Sequence, residues 1–178
     1  MIELVRPTTL LQEDWWALVD EFGTAPIHGS AYRADERADL ERPGGLEAWV
    51  DLLASYEAPG SPLPEGWVPA SYRWVLDDGR LVGTITVRHR LTESLLVVGG
   101  HIGYAVRPSA RRRGVATAAV RLALGIAGRL GIDPALITCE EDNIASARTI
   151  EACGGVLEDV QGTSRRYWVP TQGTVGPP

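Results

Sequence analysis

Hydrophobic and polar positions repeat with helical and strand periods along the first half of the chain. Residues 2–6 alternate as a strand does, and residues 11–22 repeat apolar side chains with the period of an amphipathic helix. The helical period returns over residues 35–40 and 46–56, with Pro43, Gly44 and Gly45 between them. Two helices and one broken helix are both compatible with this stretch.

The middle of the chain predicts a three-stranded meander. Residues 59–69 hold four prolines and two glycines and predict a loop. Residues 71–76 and 80–90 then flank Asp77, Asp78 and Gly79, which is a strong hairpin signal. After a turn at residues 92–94, residues 99–106 predict the next strand, which Pro108 ends.

From residue 113 onward, helices and strands alternate. Residues 113–130 predict a helix and residues 135–139 a short buried strand, followed by a second helix over residues 143–153. An antiparallel pair at residues 156–160 and 165–169 completes the pattern. In the first helix we expect one buried stripe of Val115, Ala119, Leu122, Ile126 and Leu130. We predict one domain over residues 1–170 and a loose tail over residues 171–178.

The charge distribution excludes some chemistry and favours other partners. All 17 basic residues are arginine, so a Schiff-base lysine, a lysine general base and a P-loop lysine are excluded. The net charge is −6, and the acidic residues are concentrated in the first 70 positions. This half favours a cationic small molecule, whereas the arginine-rich second half favours an anion such as phosphate. The overall balance disfavours nucleic acid as the main partner.

Targeting and metal signals are absent from the sequence pattern. Acidic residues interrupt the apolar N-terminal stretch, and the uncharged runs are shorter than the about 20 residues of a membrane helix. We therefore expect a cytoplasmic protein with no membrane partner, in which Cys139 and Cys153 are free thiols. The spacing of the histidines and cysteines predicts no metal site.

A basic turn at residues 107–114 has the features of a diphosphate site. A strand ends at Pro108, and the next helix begins after Arg111, Arg112, Arg113 and Gly114. The first turn of a helix offers unpaired N–H groups and the positive end of the helix dipole. A run of arginines at that end is unfavourable by itself, so an anion bound between them is the better interpretation.

These residues resemble the acetyl-coenzyme A motif of the GNAT family of N-acetyltransferases. Arg111-x-x-Gly114-x-Ala116 matches the family pattern [QR]-x-x-G-x-[GA], and the order of elements over residues 1–170 is also similar. The segments HIGYAVRPS and ITCEEDNIAS, at residues 101–109 and 137–146, resemble those of bacterial predicted acetyltransferases. The resemblance implies an α/β (α+β) single domain. Its central mixed, mostly antiparallel sheet would have six to seven strands, a splayed fourth and fifth strand, and about four flanking helices.

The resemblance also implies which residues bind acetyl-coenzyme A, with no metal ion. Main-chain groups of Tyr104, Ala105 and Val106 would pair with the pantetheine arm as an added strand. Asn143 would hydrogen-bond that arm, with Ser146 one turn later, although Asn143 is equally well explained as a helix N-cap. The pyrophosphate would lie on backbone amides of Arg111, Arg112, Arg113, Gly114, Val115, Ala116 and Thr117.

The sequence departs from the family at the expected catalytic positions. The usual tyrosine acid falls at Ile150, and the usual glutamate base of the fourth strand falls near Gly100. We therefore consider Glu140 and His101 as general bases and Tyr104 as the acid, with a water chain as the alternative.

The implied function is transfer of an acetyl group from acetyl-coenzyme A to an amine by direct attack. The acceptor would be a cationic small molecule or a peptide amine. The sequence leaves open whether the protein forms a homodimer. The alternative is a non-catalytic module that binds coenzyme A and senses its level. Nucleic-acid binding through Arg107 and Arg111 to Arg113 is a third, weaker hypothesis.

Overall fold

Seven strands form two antiparallel sheets in the computed structural model, which describes residues 1–171. The first sheet has the order β1-β2-β3-β4, and the second has the order β5-β7-β6. The strands are β1 Ile2–Val5, β2 Ala70–Asp77, β3 Arg80–Arg88, β4 Ile102–Val106, β5 Ala135–Glu140, β6 Val156–Gln161 and β7 Ser164–Val169. The helices are α1 Gln12–Phe22, α2 Arg37–Leu40, α3 Gly45–Ser55, α4 Glu93–Val97, α5 Val115–Arg129 and α6 Ile144–Glu151.

The predicted α/β architecture is confirmed, but the central sheet is divided. Every strand pair within the two sheets is antiparallel, and no ladder joins β4 to β5 anywhere in residues 1–171. The two strands meet at one point, where the His101 N–H donates to the Leu136 carbonyl at 2.7 Å. The splay that the resemblance implied therefore separates the predicted single sheet into two.

Helices cover both faces of the first sheet. Helix α5 packs on one face, against Val75, Ile85, Val87 and Ile102. Helices α1 and α3 cover the other face around a tryptophan cluster. At its centre Trp15 is fully buried and stacks on Trp74, with their ring centroids 5.1 Å apart.

The buried face of α5 differs from the predicted stripe. Leu122 and Leu130 are each 43% exposed, so the prediction that they are buried is wrong. The buried side chains of α5 are Val115, Ala119, Val120, Ala123, Leu124 and Ala127. This face is rich in alanine because small side chains let the helix axis approach the sheet closely, and its two leucines outside that face remain in solvent.

Three further local predictions change in the structure, and one alternative that the sequence left open, between two helices and one broken helix, is decided. The turn expected at residues 92–94 is instead the start of α4, and β4 begins only at Ile102. The helical region after α1 is interrupted, with α2 and α3 separated by a left-handed Gly44 at φ 78°. Thr171, which we assigned to the tail, is buried and bonded to Asp133 and Ile132. Residues 172–178 of the predicted tail lie outside the described residues.

All helices of residues 1–171 are too short or too polar to cross a bilayer.

Gly100 sets how closely the two sheets approach. It has φ +59°, and a Cβ added there would lie 2.5 Å from the Leu136 carbonyl oxygen. We expect Gly100→Ala to lower the free energy of unfolding by about 3 kcal/mol, from left-handed strain plus overpacking. Gly131→Ala is the matched control, because Gly131 has φ +76° and open space around it, and should cost about 1 kcal/mol. Denaturant titration measures both, and equal losses would contradict the close-contact explanation.

Candidate functional site

A cavity of about 140 Å³ opens where β4 and β5 diverge. Beyond the contact between His101 and Leu136, the strands separate and the α6 N-terminus closes one side of the gap. Its wall includes Ile102, Tyr104, Thr138, Cys139, Glu140 and Ser146. A larger depression of about 420 Å³ lies over residues 9–14, but it is lined by one short segment and lacks facing groups from a second element. We therefore take the β4–β5 gap as the site.

The edge of β4 that faces the gap has free main-chain groups. On the opposite edge, Arg88 N donates to His101 O and Arg107 N donates to Val82 O. In an antiparallel ladder, successive residues direct their main-chain N–H and C=O groups to opposite edges of the strand. The main-chain groups of Ala105 therefore bond to β3, and those of Tyr104 and Val106 point to the gap. The Val106 carbonyl accepts from Arg111 Nε at 2.9 Å, which leaves the Tyr104 groups and the Val106 N–H available.

Two hydroxyl groups meet on the α6 side of the cavity. The Tyr104 hydroxyl lies 2.7 Å from Ser146 Oγ. Burial raises the pKa of Tyr104 to about 12, so the phenol keeps its proton at neutral pH. Asn143 Oδ1 accepts from the Ser146 N–H at 3.1 Å, which confirms the N-cap role, and its side chain also lines the cavity.

Glu140 is the only carboxylate that lines the cavity in the described part of the chain. It ends β5, is exposed, and accepts a hydrogen bond from Thr163 Oγ1 at 2.8 Å. Cys139 lies beside it, and burial raises the pKa of its thiol. No acidic side chain from the first 70 residues lines this cavity, although that half carries most of the negative charge.

His101 forms the contact between the sheets instead of facing the cavity. Its Nδ1 accepts from the Leu136 N–H at 2.9 Å, and the residue is 9% exposed. Burial lowers the pKa of His101 to about 4, with the nearby Arg88 charge as a second cause, so the ring is neutral and a weak base. Ile150, at the family's tyrosine position, is fully buried in the core.

The turn before α5 leaves the helix N-terminus open. Gly114 caps α5 at φ 78° with no side-chain hydrogen bond, and Arg112 also has a left-handed φ of 62°. A Cβ added to Gly114 would meet nothing within 4 Å. The first-turn amides of Val115, Ala116 and Thr117 have no hydrogen-bond acceptor within residues 1–171, as an anion site requires.

The three arginines of this turn are not equivalent. Arg111 bonds the Val106 carbonyl and lies over the Phe22 ring, with 5.9 Å from Cζ to the ring centroid. Arg113 pairs with Asp77 at 3.0 Å. Arg112 is exposed and has no partner within residues 1–171, so it is the guanidinium most available to an anion.

Comparison with known proteins identifies the family. A family model described as an acetyltransferase (GNAT) domain matches residues 36–156. The chain belongs to the GNAT acetyltransferase family. A search of curated proteins finds no match.

Several solved acetyltransferases share the fold at low sequence identity. Mycobacterium smegmatis RimJ, in complex with CoA-disulfide, has a TM-score of 0.70 and 16% identity, covering 98% of this chain and 84% of that one. The Vibrio fischeri ribosomal-protein-S5-alanine acetyltransferase has a TM-score of 0.65 and 14% identity, covering 97% and 93%. Campylobacter jejuni PseH, in complex with acetyl coenzyme A, has a TM-score of 0.58 and 13% identity, covering 96% and 99%.

Sequence reasoning missed His28 and Thr138 as site residues. His28 lies in the loop after α1 and lines the cavity, and its carbonyl accepts from Thr84 Oγ1 at 2.9 Å. The following Gly29, at φ +81°, packs where a Cβ would lie 2.3 Å from the Gly103 carbonyl oxygen. Thr138 Oγ1 accepts from the Gly99 N–H at 2.8 Å across the gap. Gly29 was the available signal, because it permits the close approach of the loop to β4.

The buried His101 predicts a stability profile that depends on pH. Its folded pKa of about 4 lies below the ordinary histidine pKa of 6.5, so its contribution to stability is complete above pH 6.5 and is lost as pH falls towards 4. We expect His101→Asn, which keeps an acceptor for the Leu136 N–H but does not titrate, to remove the part of the acid-induced loss of stability that comes from His101. The difference in unfolding free energy between the wild type and His101→Asn should change by about 3 kcal/mol between pH 6.5 and pH 4. A difference that stays constant with pH would contradict the assignment.

Proposed function

We propose that this protein is an acetyl-coenzyme A-dependent N-acetyltransferase of the bacterial cytoplasm. One observation carries the proposal: an unpaired β4 edge runs from the uncapped N-terminus of α5 to the cavity that holds Tyr104, Ser146 and Glu140. A long, narrow donor with a diphosphate at one end and a thioester at the other fits this path. Similar solved structures with CoA-disulfide or acetyl coenzyme A bound support the choice of donor.

The donor is bound mainly by backbone groups. The Arg111 N–H already donates to the Pro108 carbonyl at 3.2 Å. The amides from Arg112 through Thr117 would therefore receive the pyrophosphate, with the unpaired Arg112 side chain supplying positive charge. The pantetheine arm would pair with the free groups of Tyr104 and Val106, as a peptide adds to a sheet edge. Asn143, whose Oδ1 is engaged as the cap, keeps its amide N–H groups for the arm.

The cavity supplies an acid and a base at different positions. Glu140, exposed at the end of β5, would accept the proton that makes the acceptor amine a nucleophile. The amine nitrogen then bonds to the acetyl carbon, the carbon–sulfur bond breaks, and the nitrogen gives up its second proton, which replaces the proton that Tyr104 donates to the leaving sulfur. Tyr104, which keeps its proton to a pKa of about 12, would donate that proton to the departing thiolate. His101, neutral and bonded to Leu136, is the weaker candidate for the base.

The acceptor would be a small-molecule or peptide amine. The Vibrio fischeri relative is named for an alanine of a ribosomal protein, and another similar structure, from Salmonella typhimurium, modifies the N-terminal serine of a ribosomal protein. Glu140 would attract the cationic form of such an amine.

Gly114 tests donor binding. A glutamate at this position would place a negative charge at the α5 N-terminus, where the pyrophosphate is expected. We expect Gly114→Glu to raise the Kd for acetyl-coenzyme A by about 100-fold or more, from like-charge repulsion. Gly114→Ala has the same left-handed strain without the charge and should change the Kd only a few-fold. Calorimetric titration measures both, and equal weakening would count against the site.

Glu140 and Tyr104 test the chemistry. With a panel of amines and acetyl-coenzyme A, we expect Glu140→Gln and Tyr104→Phe each to lower kcat by about 100-fold, since general acid–base groups contribute this much. The KM for acetyl-coenzyme A should be unchanged in Glu140→Gln. The control is Glu141→Gln, because this exposed neighbour does not line the cavity and should retain full activity. Stabilisation by acetyl-coenzyme A without turnover of any amine would instead support a sensor module.

A further inference from the structure

Arg88 is a poorly exposed cation with no acidic partner in the described chain. It ends β3, and its Nη1 donates to the carbonyls of Gly99 and Gly100 at 3.1 Å each. Other poorly exposed arginines are neutralised: Arg73 pairs with Glu57, and Arg107 pairs with Glu21. No carboxylate of residues 1–171 lies within ion-pair distance of Arg88. Burial of an unpaired charge is costly, so a ligand anion is the missing partner to consider.

The unused part of the guanidinium is open. Nε and Nη2 of Arg88 have no hydrogen-bond partner in the described structure. Neither atom is fully buried. Two carbonyls on Nη1 hold the group in place while the fork of Nε and Nη2 stays free. This fork matches the two oxygens of a carboxylate.

The guanidinium lies beside the reaction cavity. A Cβ added to Gly103 would be 3.6 Å from Nη1 and 3.7 Å from Nη2 of Arg88. Gly99, whose carbonyl accepts from Arg88 Nη1, lines the cavity. Arg88 and Gly103 are on the face of the sheet that carries Tyr72 and Trp74, opposite α5, because Thr86 pairs with both Tyr72 and Gly103.

An aromatic wall adjoins this position. The rings of Tyr72 and Tyr56 have centroids 6.5 Å apart, and Trp67 is 5.6 Å from Tyr56 and 40% exposed. Next to Gly103, the Thr86 hydroxyl is buried and has no hydrogen-bond partner among residues 1–171. A charged anchor beside apolar rings is the composition of a pocket for a small zwitterion with an organic side chain.

We propose that Arg88 binds a carboxylate of the acceptor, so that the substrate is an amine that also carries a carboxylate, such as a free amino acid. The proposal rests on the proposed acetyltransferase function and specifies its acceptor. Arg88 holds the carboxylate on one side of Gly103, and Glu140 receives the ammonium proton at the cavity. The acceptor is then bound by charges of both signs, instead of by the acidic half of the chain.

The test compares free amino acids with their carboxamides, which keep the amine and remove the negative charge. We expect the wild-type protein to have a kcat/KM for its best amino acid at least about 30-fold above that for the matching amide, as a charged hydrogen-bonded pair provides. Arg88→Gln, which keeps an amide donor for Gly99 and Gly100, should abolish this ratio and leave the KM for acetyl-coenzyme A unchanged. Arg88→Lys keeps the charge without the fork and should retain part of the ratio.

A control and a second readout separate the two proposals. Arg90→Gln removes an exposed arginine two residues away and should preserve the ratio. Calorimetry with coenzyme A-loaded protein measures amino-acid and amide binding without turnover. Amines acetylated with equal efficiency in acid and amide form would overturn the role of Arg88 and leave the acetyltransferase intact. Amino-acid binding lost in Arg88→Gln without turnover in the wild type would support Arg88 and count against the enzyme, whereas no binding and no turnover would overturn both.

Discussion

The whole site depends on one short contact between two sheets. The backbone of His101 donates to Leu136, and the His101 ring accepts from the same residue, so two hydrogen bonds join β4 to β5 at their beginnings. Gly100 permits this approach because any side chain would meet the Leu136 carbonyl. Beyond that point neither strand pairs with the other in residues 1–171, and the backbone groups of β4 are left for a ligand. A wider contact would close the gap, and no contact would leave the cavity without a fixed width.

The arginines of this lysine-free chain differ in whether the fold gives them an acidic partner. Arg107 forms an ion pair with Glu21, and Arg73 forms one with Glu57. Through these two pairs, acidic residues of the first half attach that half to the sheet. The acidic half is therefore largely structural where it meets the second half. Within residues 1–171, three arginines near the proposed substrates have no acidic partner: Arg111 and Arg112 at the α5 N-terminus, and Arg88 at the proposed acceptor face. Guanidinium groups suit both places because they stay charged when partly buried.

Local features were predictable from the sequence, and contacts between distant elements were not. The hairpin around Gly79, the helix start at Gly114 and the cap at Asn143 each depend on neighbouring residues, and all three are present. The buried face of α5 was misjudged because large leucines were favoured over alanines, and only the sheet decides which face is covered. His28 reaches the cavity through a loop whose Gly29 packs on Gly103, a contact across 74 residues that no local pattern encodes.

The loss of the family's usual acid and base positions follows from the same packing. Ile150 fills the core beneath α6, and Gly155 packs so closely that a Cβ there would be 2.6 Å from the Ile150 Cγ2. Gly100, at the other position, has no room for any side chain. In the proposed reaction, proton transfer would come from groups displaced along the strands. Tyr104 and Glu140 are the titratable side chains of β4 and β5 that line the gap with a proton-bearing or proton-accepting oxygen in the described residues. Tyr104 is partly buried against Ser146, and burial raises its pKa to about 12, so it keeps its proton at neutral pH, whereas Glu140 is an exposed carboxylate at the end of β5. This is the arrangement that an acid and a base need to act in one turnover.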